Sequence, residues 1–205
     1  MASVEKYEMS AVVNQLRHNE RTVQTPSNKD IDKERTALNY ILSPDRGMTS
    51  YDYFKQRKSE LYCYNRGDVK VMAGWVVTAP KDLSVGLHKV FFRESYNFLA
   101  ERYHEENVVS AAVHMDESGM PHLHFYFIPA VADLKHGGEK ICANNILNPK
   151  ELRNFHPDLQ RYLKEKGIDA KVMNGATAGG NRTVKELKQE REILRQRNFE
   201  RELVF

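Results

Sequence analysis

The chain has few cysteines and no long apolar run, and these absences narrow the classes of protein it can be. Its 205 residues include two cysteines, Cys63 and Cys142, without paired-thiol or zinc-knuckle spacing, which argues against a disulfide framework. No segment approaches the roughly 20 apolar residues of a membrane span. Residues 1–9 lack the apolar core of a signal peptide. We therefore expect a cytoplasmic protein with two reduced cysteines.

The chain also lacks internal repeats, low-complexity tracts and a strong charge of one sign. A hydrophobic fraction of 40% is enough for the core of one globular domain. The net charge of +3 permits a polyanionic partner without demanding one.

A β-hairpin is the clearest local prediction. Residues 108–113 and 125–131 are rich in β-branched and aromatic side chains, and the turn-like sequence of residues 118–121 lies between them. Two antiparallel strands are therefore expected in this part of the chain.

Three histidines on this hairpin form a candidate metal site. His122 and His124 are two residues apart, so in a strand their side chains share a face roughly 6.5 to 7 Å apart. His114 joins them only if the register of the hairpin places it opposite one of them. Three neutral imidazoles leave coordination positions open, as a Lewis-acid site requires. Imidazole suits zinc, nickel, copper and iron, whereas oxygen ligands suit magnesium and manganese, so ligand type leaves the metal open. The alternative is a solvent-facing polar stripe on a half-buried strand.

The remaining pattern predicts an α+β domain. Helices are expected at residues 11–20 and 83–103, and a strand at residues 69–78. A further helix is expected from Pro149, with Asn148 as its N-cap, to a stop at Gly167. We predict a central antiparallel β-sheet with helices mainly on one face and the metal site on the other, open face.

The C-terminal part is expected to be separate from this domain. Residues 174–181 read as a glycine-rich linker, and Thr183 with Glu186 forms a capping-box pattern for a highly charged helix. We therefore divide the chain into a catalytic domain, 1–180, and a charged helix, 181–205. This helix is expected either to begin a longer region or to end a minimal chain.

A second group of motifs lies nearer the N-terminus and carries a family resemblance. These are His18–Arg21, Asn28–Ile31, Arg35 and Asn39–Tyr40. Together with His114–Glu117 and Pro121–His124, in this order, they resemble the MobV-type relaxases, also called Pre/Mob or plasmid recombination proteins. That family belongs to the HUH single-strand DNA endonucleases. The helix at residues 149–167 is also similar to the one that follows the metal hairpin in this family.

The resemblance implies a bacterial enzyme that nicks one DNA strand at an origin of transfer and stays attached to the new 5′ end. His18 occupies the position of the family's histidine nucleophile, and His114, His122 and His124 would bind a divalent metal. Mn²⁺ is the expected ion, with Mg²⁺ or another divalent ion open. Glu117 would orient or deprotonate His18, or serve as a fourth metal ligand. Arg21 would neutralise charge on the phosphate.

The resemblance also implies DNA contacts and partners. The expected DNA-binding residues are Arg17, Asn19, Asn28, Lys29, Arg35, Asn39, Tyr40 and Arg46. The expected ligand is single-stranded and hairpin-containing origin-of-transfer DNA. A homodimer formed through a C-terminal region and a conjugation coupling protein are further expected partners.

Three alternative functions remain open from the sequence. One is an HUH replication initiator that uses a tyrosine nucleophile, for which the chain offers ten candidates. Another is an origin-binding or autoregulatory protein that does not cleave DNA. The last is a metal-dependent phosphodiesterase that uses water and leaves no protein–DNA adduct.

Overall fold

A computed structural model describes residues 2–23, 28 and 30–173 of the chain. The linker and the charged helix expected after residue 173 lie outside the described residues, as does Lys29. The division of the chain at residue 180 therefore stays a prediction.

The fold is built on a five-stranded antiparallel sheet. Its strands are β1 (Ala2–Glu8), β2 (Tyr40–Ile41), β3 (Lys70–Thr78), β4 (Val108–His114) and β5 (His122–Phe127), in the order β1-β3-β5-β4-β2. A separate pair, β6 (Ala130–Asp133) and β7 (Gly138–Ile141), forms a two-stranded sheet. The expected hairpin is β4 and β5, and β5 is the central strand of the larger sheet.

Five α-helices accompany the strands within the described part of the chain. They are α1 (Met9–Asn19), α2 (Ser50–Ser59), α3 (His88–Tyr103), α4 (Ala143–Ile146) and α5 (Pro149–Glu165). The predicted cap of α5 is confirmed, since the Asn148 side chain accepts hydrogen bonds from the backbone N–H groups of Lys150 and Glu151. Gly167 follows the helix with a φ of +76°, which glycine adopts readily. None of the described helices has both the length and the apolar character needed to cross a membrane.

One face of the sheet carries the larger hydrophobic core. Leu123, Phe125 and Phe127 of β5 point into it, and α3 and α5 cover it. Trp75 of β3 stacks on Phe155 of α5 with 3.5 Å between ring centroids. The alternation along β5 thus sends its apolar side chains to this face and its histidines to the other.

The second face is covered in part, which refines the prediction of an open face. Val12 and Leu16 of α1 and Phe54 of α2 form a smaller core there with Met72 and Tyr126 of the sheet. Helices therefore lie on both faces, and α1 ends beside the histidines. The α+β class with a central antiparallel sheet is confirmed.

Several elements differ from the sequence-based expectation, and α2, α4, β2 and β7 were not predicted. Strand β1 was not predicted, because its apolar residues, Ala2 and Val4, alternate with polar ones over too short a run. The expected strand 125–131 is broken at Pro129, which has no N–H to donate to a ladder. The chain leaves the large sheet there and starts β6.

Candidate active site

The register of the hairpin places the three predicted metal-binding histidines on one face. His114 lies directly opposite His122, and His124 lies opposite Ala112. Ring centroids are 5.5 Å apart for His114 and His122, 4.6 Å for His114 and His124, and 4.9 Å for His122 and His124. The condition set by the sequence, that His114 must face a histidine across the hairpin, is met.

Hydrogen bonds to the backbone set which nitrogen of two of these histidines carries a lone pair. Nε2 of His114 lies 2.8 Å from the carbonyl oxygen of Asn19, and Nδ1 of His122 lies 3.1 Å from the carbonyl oxygen of Met120. A carbonyl only accepts, so these nitrogens carry the protons. Nδ1 of His114 and Nε2 of His122 are then free to bind a metal.

Buried nitrogens without partners indicate that this cluster fits a cation. Nδ1 of His114 and both ring nitrogens of His124 are buried and have no hydrogen-bond partner among the described residues. Unpaired buried polar atoms are destabilising, and a metal ion would pair them. Burial lowers the pKa of His114 to about 4 and, with the neighbouring histidines, holds the pKa of His124 well below its ordinary value. Both imidazoles are therefore neutral, as metal ligation requires.

His18 joins this cluster from the last turn of α1. Its ring centroid lies 5.8 Å from that of His114 and 5.9 Å from that of His124, in edge-on geometry. Its side chain keeps 33% of its surface exposed. Burial, followed by the charge of Arg21, lowers the pKa of His18, and the Glu117 carboxylate only partly opposes this shift. The His18 ring is therefore a neutral, accessible imidazole at cellular pH.

The donor atoms of the cluster converge in two overlapping sets. Among the described residues, the ligand atoms of His18, His114 and His124 all lie within 4.8 Å of one another, and so do those of His114, Glu117 and His122. Glu117 lies between the histidines, with 3.8 Å from its carboxylate oxygens to His18 Nε2, His114 Nδ1 and His122 Nε2. His18 and Glu117 are thus brought to the three predicted ligands.

Arg21 connects His18 with the acidic pair that follows β4. Its backbone is in the left-handed region, with a φ of +53°. Its guanidinium donates to both oxygens of Asp116, at 3.0 and 2.8 Å, to Glu117 at 2.8 Å, and to the His18 carbonyl oxygen at 2.9 Å. Burial alone would raise the pKa of the Asp116 carboxyl, but its hydrogen bonds, including those from Arg21 and Thr36, and the charge of Arg21 together outweigh burial and hold that pKa well below its usual range.

The segment after the N-terminal loop is fastened to the same acidic turn. Thr36 donates its hydroxyl to Asp116 at 3.0 Å, and the Asp32 N–H donates to the Asp116 carbonyl at 2.7 Å. Asn39 accepts from the Met115 N–H at 2.7 Å. In the sequence, Asp116 stands out only as part of the His114–Glu117 motif. No local pattern indicates that Thr36, or Ser110, which accepts a hydrogen bond from Asn19, belongs to the site.

The other predicted DNA contacts are spread over the domain. Arg17 and Arg35 are exposed, Asn28 and Asn39 are half-buried, and the buried hydroxyl of Tyr40 has no hydrogen-bond partner in the described residues. Arg46 lies over the Tyr53 ring at 3.8 Å and donates to the Glu105 carbonyl.

The structure does not support Asn19 as a DNA contact. Asn19 is 2% exposed, and its side-chain N–H donates to the Ser110 hydroxyl at 2.8 Å. Its carbonyl is the group that accepts from His114. Asn19 therefore contacts the site from the protein interior, and its side chain is not accessible to DNA.

Comparison with known protein sequences finds relatives of this chain in one family. The family model for the plasmid recombination enzyme, Mob_Pre, matches residues 1–191. The plasmid recombination enzyme of Streptococcus agalactiae is 30% identical over 197 residues, which are 92% of this chain and 38% of that protein. The enzyme of Lactiplantibacillus plantarum is 31% identical over 193 residues, covering 90% of this chain and 52% of that protein. The chain thus spans between 38% and 52% of the length of these relatives.

Solved structures with the same fold contain DNA. A Mn-bound crystal structure of the MobM relaxase domain (MOBV; Mob_Pre) bound to plasmid pMV158 oriT DNA matches with a TM-score of 0.74 and 30% identity, covering 93% of this chain and 97% of that one. A second Mn-bound complex of that domain, with a 23-nucleotide oriT DNA, matches with a TM-score of 0.75 and 28% identity, covering 94% of this chain and 97% of that one.

Proposed function

Because the chain belongs to the plasmid recombination enzyme family, we propose that its described domain is a metal-dependent DNA relaxase. It would nick one strand at an origin of transfer and keep the new 5′ end covalently attached. The observation that carries the proposal is the approach of His18, from α1, to the histidines of the central hairpin, with the Glu117 carboxylate between them. A nucleophile, a proton acceptor and a cation site in one cluster are what a phosphoryl-transfer enzyme needs.

In this proposal His18 is the nucleophile. Its lowered pKa keeps a lone pair on the ring at cellular pH, so no strong base is needed. Glu117 faces Nε2 at 3.8 Å, a distance longer than a hydrogen bond that is expected to shorten when substrate binds. We assign Glu117 to hold the Nε2 proton, which leaves the lone pair on Nδ1.

The proposed reaction is an in-line displacement at phosphorus. A bond forms between His18 Nδ1 and the scissile phosphorus as the bond from phosphorus to the 3′ oxygen breaks. The Nε2 proton passes to Glu117, and the departing 3′ oxygen takes a proton from water. The resulting phosphoramidate is reactive enough for a 3′-hydroxyl to reverse the step, which suits strand transfer.

The residues proposed to hold the metal are His114, His122 and His124, with Glu117 as an alternative fourth ligand. A divalent ion bound there supplies positive charge for the non-bridging phosphate oxygens. Mn²⁺ is supported by the Mn-bound relaxase domains of the same fold, with Mg²⁺ or another divalent ion as alternatives.

Arg21 is better suited to positioning than to the predicted contact with phosphate. Its guanidinium is already paired with the Asp116 and Glu117 carboxylates, and its side chain is 10% exposed. We therefore assign Arg21 to hold Glu117 in place beside His18.

The proposed substrate is origin-of-transfer DNA, because the structural relatives are bound to such DNA. Arg17 and Arg35 are exposed and available for phosphate contacts. The homodimer and the coupling protein expected from the resemblance stay predictions.

Tyr126, two residues after His124 on the same face of β5, is a poor candidate for a tyrosine nucleophile. Tyr126 donates its hydroxyl to Gln15 and is buried, and burial raises its pKa. A phenol that is hard to ionise is a weak nucleophile.

A cleavage assay tests the proposal. Single-stranded oriT oligonucleotides, including the pMV158 sequence, are labelled at either end and incubated with protein and Mn²⁺ or EDTA, then separated on a denaturing gel. We expect a metal-dependent adduct on the 5′ end of the downstream fragment, lost in His18→Ala and retained in His136→Ala, a histidine outside the cluster. An adduct that survives in His18→Ala would assign the nucleophile to another residue. Cleavage without adduct would indicate hydrolysis by water, and binding without cleavage would indicate an origin-binding protein.

A further inference from the structure

We propose that His18 is itself a ligand of the metal when no DNA is bound, and that it leaves the metal when the scissile phosphate arrives. The inference rests on the proposed function, because it assigns the nucleophile a second role. In this resting state His18 would complete the metal site with His114 and His124, and its lone pair would be unavailable for attack.

The arrangement of the donor atoms carries this inference. Of the two sets that converge within 4.8 Å, one contains His18 with His114 and His124, whereas His122 is grouped with His114 and Glu117. The three histidines of the hairpin do not by themselves form such a set among the described residues. His18 is therefore as well placed to bind a cation as the hairpin residue His122.

The ring of His18 has the freedom to close the remaining distance. Imidazole nitrogens bound to one metal at about 2.0 to 2.1 Å lie roughly 3.4 Å apart in tetrahedral geometry, so a modest rotation is needed. His18 is at the end of α1 and partly exposed. Its contacts are long, at 3.4 Å and 3.5 Å from Arg21 to Nε2 and Nδ1 and 3.8 Å from Glu117 to Nε2, so the ring can turn without the loss of a short hydrogen bond. The ring is neutral, as a ligand must be.

The choice of metal follows from the same geometry. With His18 bound beside His114 and His124, the ligands are all imidazoles, which suit a nitrogen-preferring ion such as Zn²⁺. With a phosphate oxygen in place of His18, the site suits Mn²⁺, which favours oxygen ligands. The exchange replaces one nitrogen by one oxygen and transfers no proton. A nitrogen-preferring ion would therefore hold His18 more firmly and keep the nucleophile masked.

Calorimetric titration of Mn²⁺ into the protein tests the proposal without using activity. We expect His18→Ala to weaken Mn²⁺ binding about tenfold in the DNA-free protein, an effect of the size seen when support of a metal site is lost. In the presence of a non-cleavable oligonucleotide, in which a methylene group replaces the bridging 3′ oxygen of the scissile phosphate, the affinities of the wild type and His18→Ala should agree within a factor of two. His136→Ala is the matched control and should bind Mn²⁺ like the wild type under both conditions.

Two outcomes would overturn the proposal. Equal affinities of wild type and His18→Ala without DNA would show that His18 is not a ligand. An equal loss with and without DNA would show that His18 is never displaced. The His18→Phe variant keeps an aromatic ring but has no nitrogen to bind a metal. If it loses as much Mn²⁺ affinity as His18→Ala, the loss does not come from packing. The proposed function fails separately, if the wild type forms no covalent adduct with the DNA.

Discussion

At the scale of single residues, the Asp116 carboxylate is the strongest determinant of how the site is held. It is fully buried and receives hydrogen bonds from Arg21 and Thr36. Loss of a charged hydrogen-bond acceptor in a buried position weakens each of these hydrogen bonds and is destabilising.

Replacement of Asp116 by Asn tests this role. We expect the free energy of unfolding to fall by about 2 kcal/mol, because Arg21 loses one of its two carboxylate partners and keeps only Glu117. Urea denaturation of the variant and wild type measures the difference. Asp158→Asn is the matched control. Asp158 also pairs with arginine side chains, those of Arg102 and Arg161, but it is more exposed, so a clearly smaller loss of stability is expected. Equal losses would contradict the central role of Asp116.

The pH dependence of this difference has a defined sign. The pKa of Asp116 is lowered in the folded protein, so its ionised form contributes stability above the ordinary carboxyl pKa of 3.8. As the pH falls below that value, the unfolded chain binds the proton first and this stability is lost. The gap between wild type and Asp116→Asn should therefore narrow as the pH falls below 3.8.

At the scale of secondary-structure elements, the contact between α1 and β4 sets the distance from His18 to the histidines of the hairpin. The Asn19 side chain donates to Ser110 of β4, and the Asn19 carbonyl accepts from His114 of the same strand. Asn19 thus holds both the end of α1 and the ring of His114.

Ser110→Ala is expected to loosen that contact. Removal of the hydroxyl leaves the buried Asn19 N–H unpaired, so the free energy of unfolding should fall by about 1 to 2 kcal/mol. Mn²⁺ affinity should fall as well, because the carbonyl that orients His114 moves with α1. Ser95→Ala is the control, since the buried Ser95 hydroxyl has no hydrogen-bond partner among the described residues and its loss should be close to neutral. Unchanged metal affinity in Ser110→Ala would show that the Asn19–Ser110 contact does not affect metal binding.

The elements also show what the sequence could and could not predict. The shared face of His122 and His124 followed from alternation along a strand, and the cap at Asn148 was also recognisable in advance. The pairing of His114 with His122 depends on the hairpin register, which the sequence left open. The burial of Asn19 was not, because an asparagine at a helix end is equally typical of an exposed cap. The approach of His18 to the hairpin depends on how α1 packs on the second face, which no local pattern encodes. Only the family resemblance joined those distant motifs.

At the scale of the whole molecule, a metal in the cluster would link α1, β4 and β5. A ligand that binds only the folded protein stabilises it by about 2.7 kcal/mol at a concentration 100 times its Kd. We expect Mn²⁺ to raise the Tm of the wild type by several degrees and EDTA to reverse the shift. His124→Ala should lose most of this shift, and His136→Ala should retain it. A shift that persists in His124→Ala would assign metal binding to another part of the chain.

Trp75 gives the molecule a built-in optical reporter. It is the only tryptophan in the chain, is 2% exposed, and stacks on Phe155 in the core opposite the histidine face. Its intrinsic fluorescence therefore reports whether α5 is seated on the sheet and is shielded from quenchers in solvent while the fold is intact. The proposed sites for DNA and metal lie on the other side of the sheet. Emission from this one indole can thus distinguish a variant that has lost its chemistry from one that has lost its fold.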